Sequence, residues 1–305
     1  MIVRPQENWF RMLFIWNGSV LQSIIPQLAF VSLVDVVAVV TDGSIFGEKV
    51  PLNTTPFTLV GVALTIFLAF RNNASYSRYW EARQMWGNLL ISGRALASQV
   101  LAYVPADRDF DQREFIYKLV AFTYTLKHQL RGTDPFAEAA RYLPAQCATM
   151  LLHSEFRPIA LLNELRHGLA ERYRRGAISS QQLMMLDTQI NDLGAAVGGC
   201  ERIASTPIPY PYGVLLHRTV YAYCLLLPFG LVDSIGLATP VIAIFVSYTL
   251  IALEAIASEV AEPFGKLPNS LPLDALTRNF ERSLLDLCGE TLPAELTAGP
   301  GYQLT

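Results

Sequence analysis

The stretch from Val50 to Phe70, VPLNTTPFTLVGVALTIFLAF, carries no charged residue, and the chain runs straight on into RNNASYSRYWEARQMWGN. At roughly 1.5 Å per residue the uncharged part forms about 30 Å of helix, the thickness of a bilayer's hydrocarbon. From Arg71 the same run turns arginine- and aromatic-rich, with no proline and a first glycine only at Gly87. A helix that starts as oil and continues as a charged rod has to pass from lipid into water. Composition agrees: 52% of residues are hydrophobic and only 16% charged, against about 25% in an average soluble protein. The expectation is a membrane protein with a substantial water-exposed part.

Three further segments are apolar enough to span, giving an expected total of four membrane helices. They run from about Ser19 to Val40 (with Asp35 inside), from Tyr212 to Val232 (with Arg218 near its start), and from Ser234 to Leu253, which is uncharged. Basic residues set the orientation. Arg4 and Arg11 precede the first span, Arg71, Arg78 and Arg83 follow the second, and Arg202 and Arg218 lie at the start of the third. Lys49 is the one base between the first two spans, and the turn near Asp233 has none. Basic residues stay on the cytoplasmic side, so both termini and the whole middle are expected there.

That middle is helical in pattern and no stretch alternates as a strand, so the fold class is all-α. Asp109 and Asp111 flank the start of FDQREFIYKLVAFTYTLKHQL, which ends at Arg131-Gly132, and SSQQLMMLDTQINDL opens with Ser179 and Gln182 in capping-box spacing. The expected organisation is residues 1–77 as an N-terminal interfacial helix and spans one and two, 78–208 as a cytoplasmic helical domain, 209–256 as spans three and four, and 257–305 as a cytoplasmic C-terminal segment. Trp9, Phe10, Leu13 and Trp16 fit one face of a short helix, which suits a helix lying on the membrane or one packed on the core.

Several function classes find no footing. Cys147, Cys200, Cys224 and Cys288 lie far apart with no C-x-x-C pair, so neither a disulfide framework nor a zinc site is expected. A net charge of −3 gives no basic surplus for nucleic acid. There is no nucleophile elbow, zincin pair, phosphate loop or dinucleotide fingerprint, and no cofactor is expected. Glu254, Glu259 and Glu262 after the last span fit a cytoplasmic helix end with solvated or paired acids.

Within the second span, Thr55-Pro56 fits a helix start. Gly61, Thr65 and Ala69 form a small-residue stripe, which lets helices approach closely in lipid. Val62, Ile66 and Phe70 form a second, apolar stripe rotated by about 100°. In a ring of copies, close contact at the first stripe turns the second inward, and stacked apolar rings make a constriction that gates by dewetting. The same spacing also suits a face turned to lipid or to a partner helix. Asp35 and Arg218 are intramembrane charges of the kind that face protein or water, and a structural pair at the membrane edge also fits them.

FLAFRNNASYSRYWEARQMWG (Phe67–Gly87) resembles the signature of the bestrophin ion-channel family, especially its bacterial members. CERIASTPIPYPYGVLLHRTVY (Cys200–Tyr221) is similar to the family's approach to the third span, and ASEVAEPFGKLPNSLPLDAL (Ala257–Leu276) to its segment after the last one. The blocks occur in family order across almost the full chain. The resemblance implies a ring-shaped homopentamer in the bacterial inner membrane that conducts small inorganic ions, its partners being further copies of itself and lipid. It also implies a neck lined by Val62, Ile66 and Phe70, and a cytoplasmic constriction at Gln181, where related channels place an apolar residue. In calcium-gated animal members an acidic run follows Pro-Phe-Gly. Here Pro263-Phe264-Gly265 precedes Lys266-Leu267-Pro268-Asn269, too poor in hard oxygen ligands for a calcium clasp.

The family passes chloride and other anions, while some bacterial members favour cations. Asp42, Glu48 and Asp233 outnumber Lys49 in the outer loops, which favours cations at the mouth, whereas outward-facing helix N-termini at Pro56 favour anions. Two rival readings remain at this level. One is a secondary transporter, though paired repeats with broken helices are missing. The other is a non-conducting membrane interaction protein.

Overall fold

The computed structural model describes residues 1–5, 8–45, 48–49 and 54–305. In chain order the helices are α1 (Trp9–Met12), α2 (Leu21–Val40), α3 (Thr54–Tyr103), α4 (Gln112–Arg131), α5 (Phe136–Ala139), α6 (Ala145–His153), α7 (Arg157–Arg174), α8 (Ser180–Ser205), α9 (Tyr210–Ile235), α10 (Thr239–Val260) and α11 (Leu273–Leu287). Two-residue strands β1 (Ser44–Ile45) and β2 (Glu48–Lys49) pair antiparallel between α2 and α3. The chain forms two compact units: Arg4–Tyr79 with Pro207–Glu262, and Trp80–Thr206 with Pro263–Thr305 and Met1–Val3. Helix α3 is unbroken through Tyr79 and Trp80 and is about 75 Å long at 1.5 Å per residue.

The first unit packs α2, α9, α10 and the first half of α3. Its core joins Ile24 and Val31 of α2, Leu64 and Leu68 of α3, Val220 and Cys224 of α9, and Leu250 and Ile251 of α10. Among the described residues, three helical stretches are long and apolar enough to cross a membrane: Leu21–Val40, Thr54–Tyr103 and Tyr210–Val260. The last is divided into α9 and α10 by one 3-10 turn, Gly236–Ala238. That break lies later than the sequence suggests. Asp233 is tolerated inside α9, and the chain turns only at Gly236, whose φ of 52° favours a residue without a side chain, with Pro240 in the first turn of α10. Lys49 meets Asp233 at 2.7 Å beside this turn.

Helix α1 is a single turn, shorter than its apolar run suggests. Trp9, Phe10, Met12, Leu13, Phe14 and Trp16 are all exposed, so packing of this segment on the core is not what the structure shows.

The second unit is built around α4. Asp111 caps it by accepting from the Arg113 N–H at 2.8 Å, and Gly132 closes it in the left-handed conformation (φ 62°). Helices α7, α8 and α11 wrap it, leaving Phe122, Leu119 and Leu126 fully buried. The capping box at α8 forms as the spacing implies: Ser179 Oγ accepts from the Gln182 N–H, and Gln182 Oε1 accepts from the Ser179 N–H. The buried acid Glu281 and the buried base Lys127 are both paired. Glu281 accepts from the Tyr124 hydroxyl at 2.7 Å and from the Tyr142 hydroxyl, and Lys127 is held between Glu138 and Asp274.

Candidate functional site

Helix α3 shows one face to its own chain. Phe57, Gly61, Leu64 and Leu68 recur at spacings of three and four, and Arg71, Ser75, Arg78 and Ala82 continue the seam. Leu64 and Leu68 are 2% and 1% exposed. Two glycines fix the rotation of the helix. A Cβ on Gly61 would lie 2.8 Å from the Tyr223 hydroxyl, and one on Gly230 would lie 2.4 Å from the Phe57 ring. Tyr223 of α9 thus fills the gap over Gly61, and Phe57 of α3 fills the gap over Gly230, with the two rings 6.0 Å apart.

Val62, Ile66 and Phe70 sit about 120–160° around the helix from Leu64 and Leu68, at 100° per residue. They are 58%, 50% and 62% exposed, so the described residues leave half or more of each uncovered. The structure therefore brings the three onto one continuous apolar face and turns it away from the bundle. The small-residue stripe behaves differently from expectation. Gly61 is taken by Tyr223 within the same chain, while Thr65 and Ala69 are exposed, Thr65 donating to the Gly61 carbonyl at 2.8 Å. A close approach between copies at Gly61 is therefore already occupied.

Gln181 is the second residue of α8 in the other compact unit, with its side chain exposed. Its neighbours Ser179 and Gln182 are bound up in the cap, whereas Gln181 is left outside it.

Asp35 and Arg218 do not pair. Asp35 is fully buried, and neither of its carboxylate oxygens has a hydrogen-bond partner among the described residues. Arg218 is exposed. Sequence reasoning missed the pairing that does form at this end of the bundle. Arg71, next after Phe70, donates from Nη1 to Glu254 Oε1 at 3.4 Å and from Nη2 to Ser258 Oγ at 2.8 Å. His217 Nδ1 lies 2.9 Å from the same Glu254 oxygen. Glu254 is buried, which is affordable for a charge only with such partners. The signal in the sequence was slight: the first of three acids, directly after the apolar run that ends at Leu253.

The open face on α3 is the largest feature of the helix that its own chain does not use, and comparison with known proteins gives the family in which it occurs. The family described as Bacterial/Fungal Bestrophin protein matches residues 1–286. This chain is a bestrophin. Among curated relatives, it is 44% identical over 292 residues to the voltage-dependent anion channel-forming protein RSc3414 of Ralstonia nicotianae, covering 95% of each chain. It is 40% identical over 308 residues to the voltage-dependent anion channel-forming protein YneE of Escherichia coli K12, covering the whole of both. Among solved structures, a bacterial bestrophin homolog from Klebsiella pneumoniae superposes with a TM-score of 0.84 at 39% identity, covering 88% of this chain and 99% of that one. The curated relatives are named for forming anion channels and not for an enzymatic activity, so the family is one of membrane channels. The mostly helical fold and the resemblance read from Phe67–Gly87 agree with this membership.

Proposed function

We propose that this bestrophin conducts small anions passively across the bacterial inner membrane, as a ring of five copies around one central pore. Helices α2, α9, α10 and the first half of α3 make the four crossings, and Val62, Ile66 and Phe70 of each copy line the neck. Gln181 lines a second constriction on the cytoplasmic side, where both termini also lie. The observation that carries this reading is the apolar face of α3. Its own chain packs the opposite side of the helix with paired glycines and aromatics, and leaves three large apolar side chains without cover. Only 11% of the apolar window of α3 is buried within the chain, against 22% for α2 and 39% for the α9–α10 stretch. The helix with least cover from its own chain is the one whose surface needs copies of itself. The names of the relatives supply the permeant class.

The test is purified protein in planar bilayers under a chloride gradient. Discrete current steps with a reversal potential near that of chloride are expected, and a mass in detergent corresponding to five chains. Saturable flux without steps, or a reversal potential near that of the cation, overturns the reading.

A further inference from the structure

At the end of the first unit where Arg71 meets Glu254 there is a cavity of about 510 Å³ with no role in the neck. Its walls are the Pro207–Pro209 turn, the first two turns of α9 including Gly213, Val214 and Arg218, and the last turns of α10 around Ser258. Its chemistry is divided. One side is apolar, made by Pro207, Ile208, Pro209 and Val214. From there the exposed Tyr212 and Leu215 extend apolar surface along α9. The other side is polar, and its charges are unequally used. Arg71 is taken up by Glu254 and Ser258, and Glu254 also holds His217. Arg218 has no ion-pair or hydrogen-bond partner among the described residues, and it is the one arginine of the cavity left over.

We propose that this cavity binds the phosphodiester of a membrane phospholipid headgroup, with Arg218 as the anchoring cation and the proline-rich wall against the glycerol and upper acyl chains. Glu262 also lines the cavity, but neither it nor Glu254 engages Arg218, whose guanidinium is left to favour phosphate oxygens through paired N–H donors. The depth is right for a headgroup. Arg71 marks where α3 loses its apolar character, α9 acquires its own just past Tyr210, and the exposed Tyr210 and Tyr212 are the aromatics that collect at a bilayer's polar boundary. Basic pockets between membrane helices on the cytoplasmic side are a known means of holding such headgroups. Glu254 and Ser258 engage Arg71 at the wall of the site, so the binding charge and the charge that anchors α3 are separate groups. The inference rests on the membrane reading above but not on conduction.

The experiment is native mass spectrometry of delipidated protein in detergent, titrated with dioleoyl phosphatidylglycerol, with sn-glycerol 3-phosphate and with dioleoylglycerol. Phosphatidylglycerol is expected to be retained by the unaltered protein, and the other two are not. Arg218→Ala removes an exposed side chain that no other residue holds, so the fold is safe. It is expected to weaken retention about tenfold, the scale of one charge-assisted contact. Gly213→Leu fills the cavity from within; a Cβ there meets only the Arg71 guanidinium, at 3.9 Å, and the same loss is expected. Undiminished phosphatidylglycerol binding in both variants overturns the proposal. Equal retention of dioleoylglycerol overturns the headgroup assignment, and equal retention of sn-glycerol 3-phosphate replaces the lipid with a soluble phosphate. Currents from the same preparation report on the channel separately, so either reading can fail alone.

Discussion

Helix α4 and the membrane half of α3 are both rich in large apolar side chains, yet the chain treats them in opposite ways. Around α4 nearly every side chain from Phe115 to Lys127 is buried by α7, α8 and α11, and the charges that remain inside are paired. Around the first half of α3 only one seam is covered, and Val62, Ile66 and Phe70 stand free on the other side. The difference separates two kinds of specification. A helix enclosed by its own chain is fixed by folding, whereas an apolar face left open is finished by lipid or by other copies. Substitutions on the two helices should accordingly be felt in different measurements.

The largest effect is expected at Phe122, fully buried on α4. Phe122→Ala should cost about 3–5 kcal/mol of stability through lost burial and the cavity left behind. Thermal unfolding in detergent checks this, and an unchanged transition would show that α4 is not the centre of its unit. A pH series tests the charged side of the same core. Burial alone would raise the Asp274 carboxyl, but hydrogen bonds from Arg131 and Lys127 outweigh it and hold the group at about 2, below its ordinary 3.8. Because the folded value is the lower one, Asp274 stabilises the fold above about pH 4, and this is lost as pH falls toward 2. The contribution is roughly 2 kcal/mol. Asp274→Asn should lose that margin at neutral pH and flatten the acid limb of the stability curve, a change visible in unfolding midpoints measured from pH 7 down to 3.

The two helices also differ in how far the sequence alone could read them. Local signals were readable in both. Asp111 and Gly132 bracket α4, Ser179 and Gln182 cap α8, and the change of character at Arg71 marks where α3 leaves its apolar stretch, because each depends on residues within a few positions of one another. Contacts between distant residues were not readable. Gly61 looked like a seat for a neighbouring copy, and only the fold shows Tyr223 of α9 already in it. Glu254 lies 183 positions from Arg71, and no local pattern links them. Gly236, rather than Asp233, ends α9, since a helix tolerates an aspartate near its end but not the backbone angle found at Gly236. The candidate neck was accessible from spacing and family resemblance together. Its orientation away from the bundle follows from packing that spacing cannot express.

On the open face of α3 the expected stability change is small and the functional one is not. Ile66 is 50% exposed within its chain, so Ile66→Ala should shift unfolding by no more than about 0.5 kcal/mol. If the face lines a neck, removing a ring of isoleucine side chains widens and wets it, and single-channel current in planar bilayers should rise. Equal currents from the variant and its parent would take Ile66 out of the neck. A large loss of stability would instead show that the face is buried against something that folding requires.

The smallest effect is expected at Gln181, where the contrast between folding and finishing is sharpest over a short distance. Ser179 and Gln182 are committed to the cap of α8, while Gln181 points to solvent between them. Gln181→Ile leaves both capping hydrogen bonds in place, so the unfolding transition should not move. A ring of isoleucines holds water less well than a ring of glutamines, so conductance should fall, by about twofold if this exit shares the pore's resistance with the neck. The fall should be steepest for the ions that dehydrate least readily. Unchanged conductance and selectivity together would place Gln181 outside the conduction path. A fall in conductance accompanied by a lower unfolding midpoint would trace the effect to a damaged helix start instead. Only the separation of the two readouts, current down and stability constant, identifies a side chain whose partner is the permeating ion.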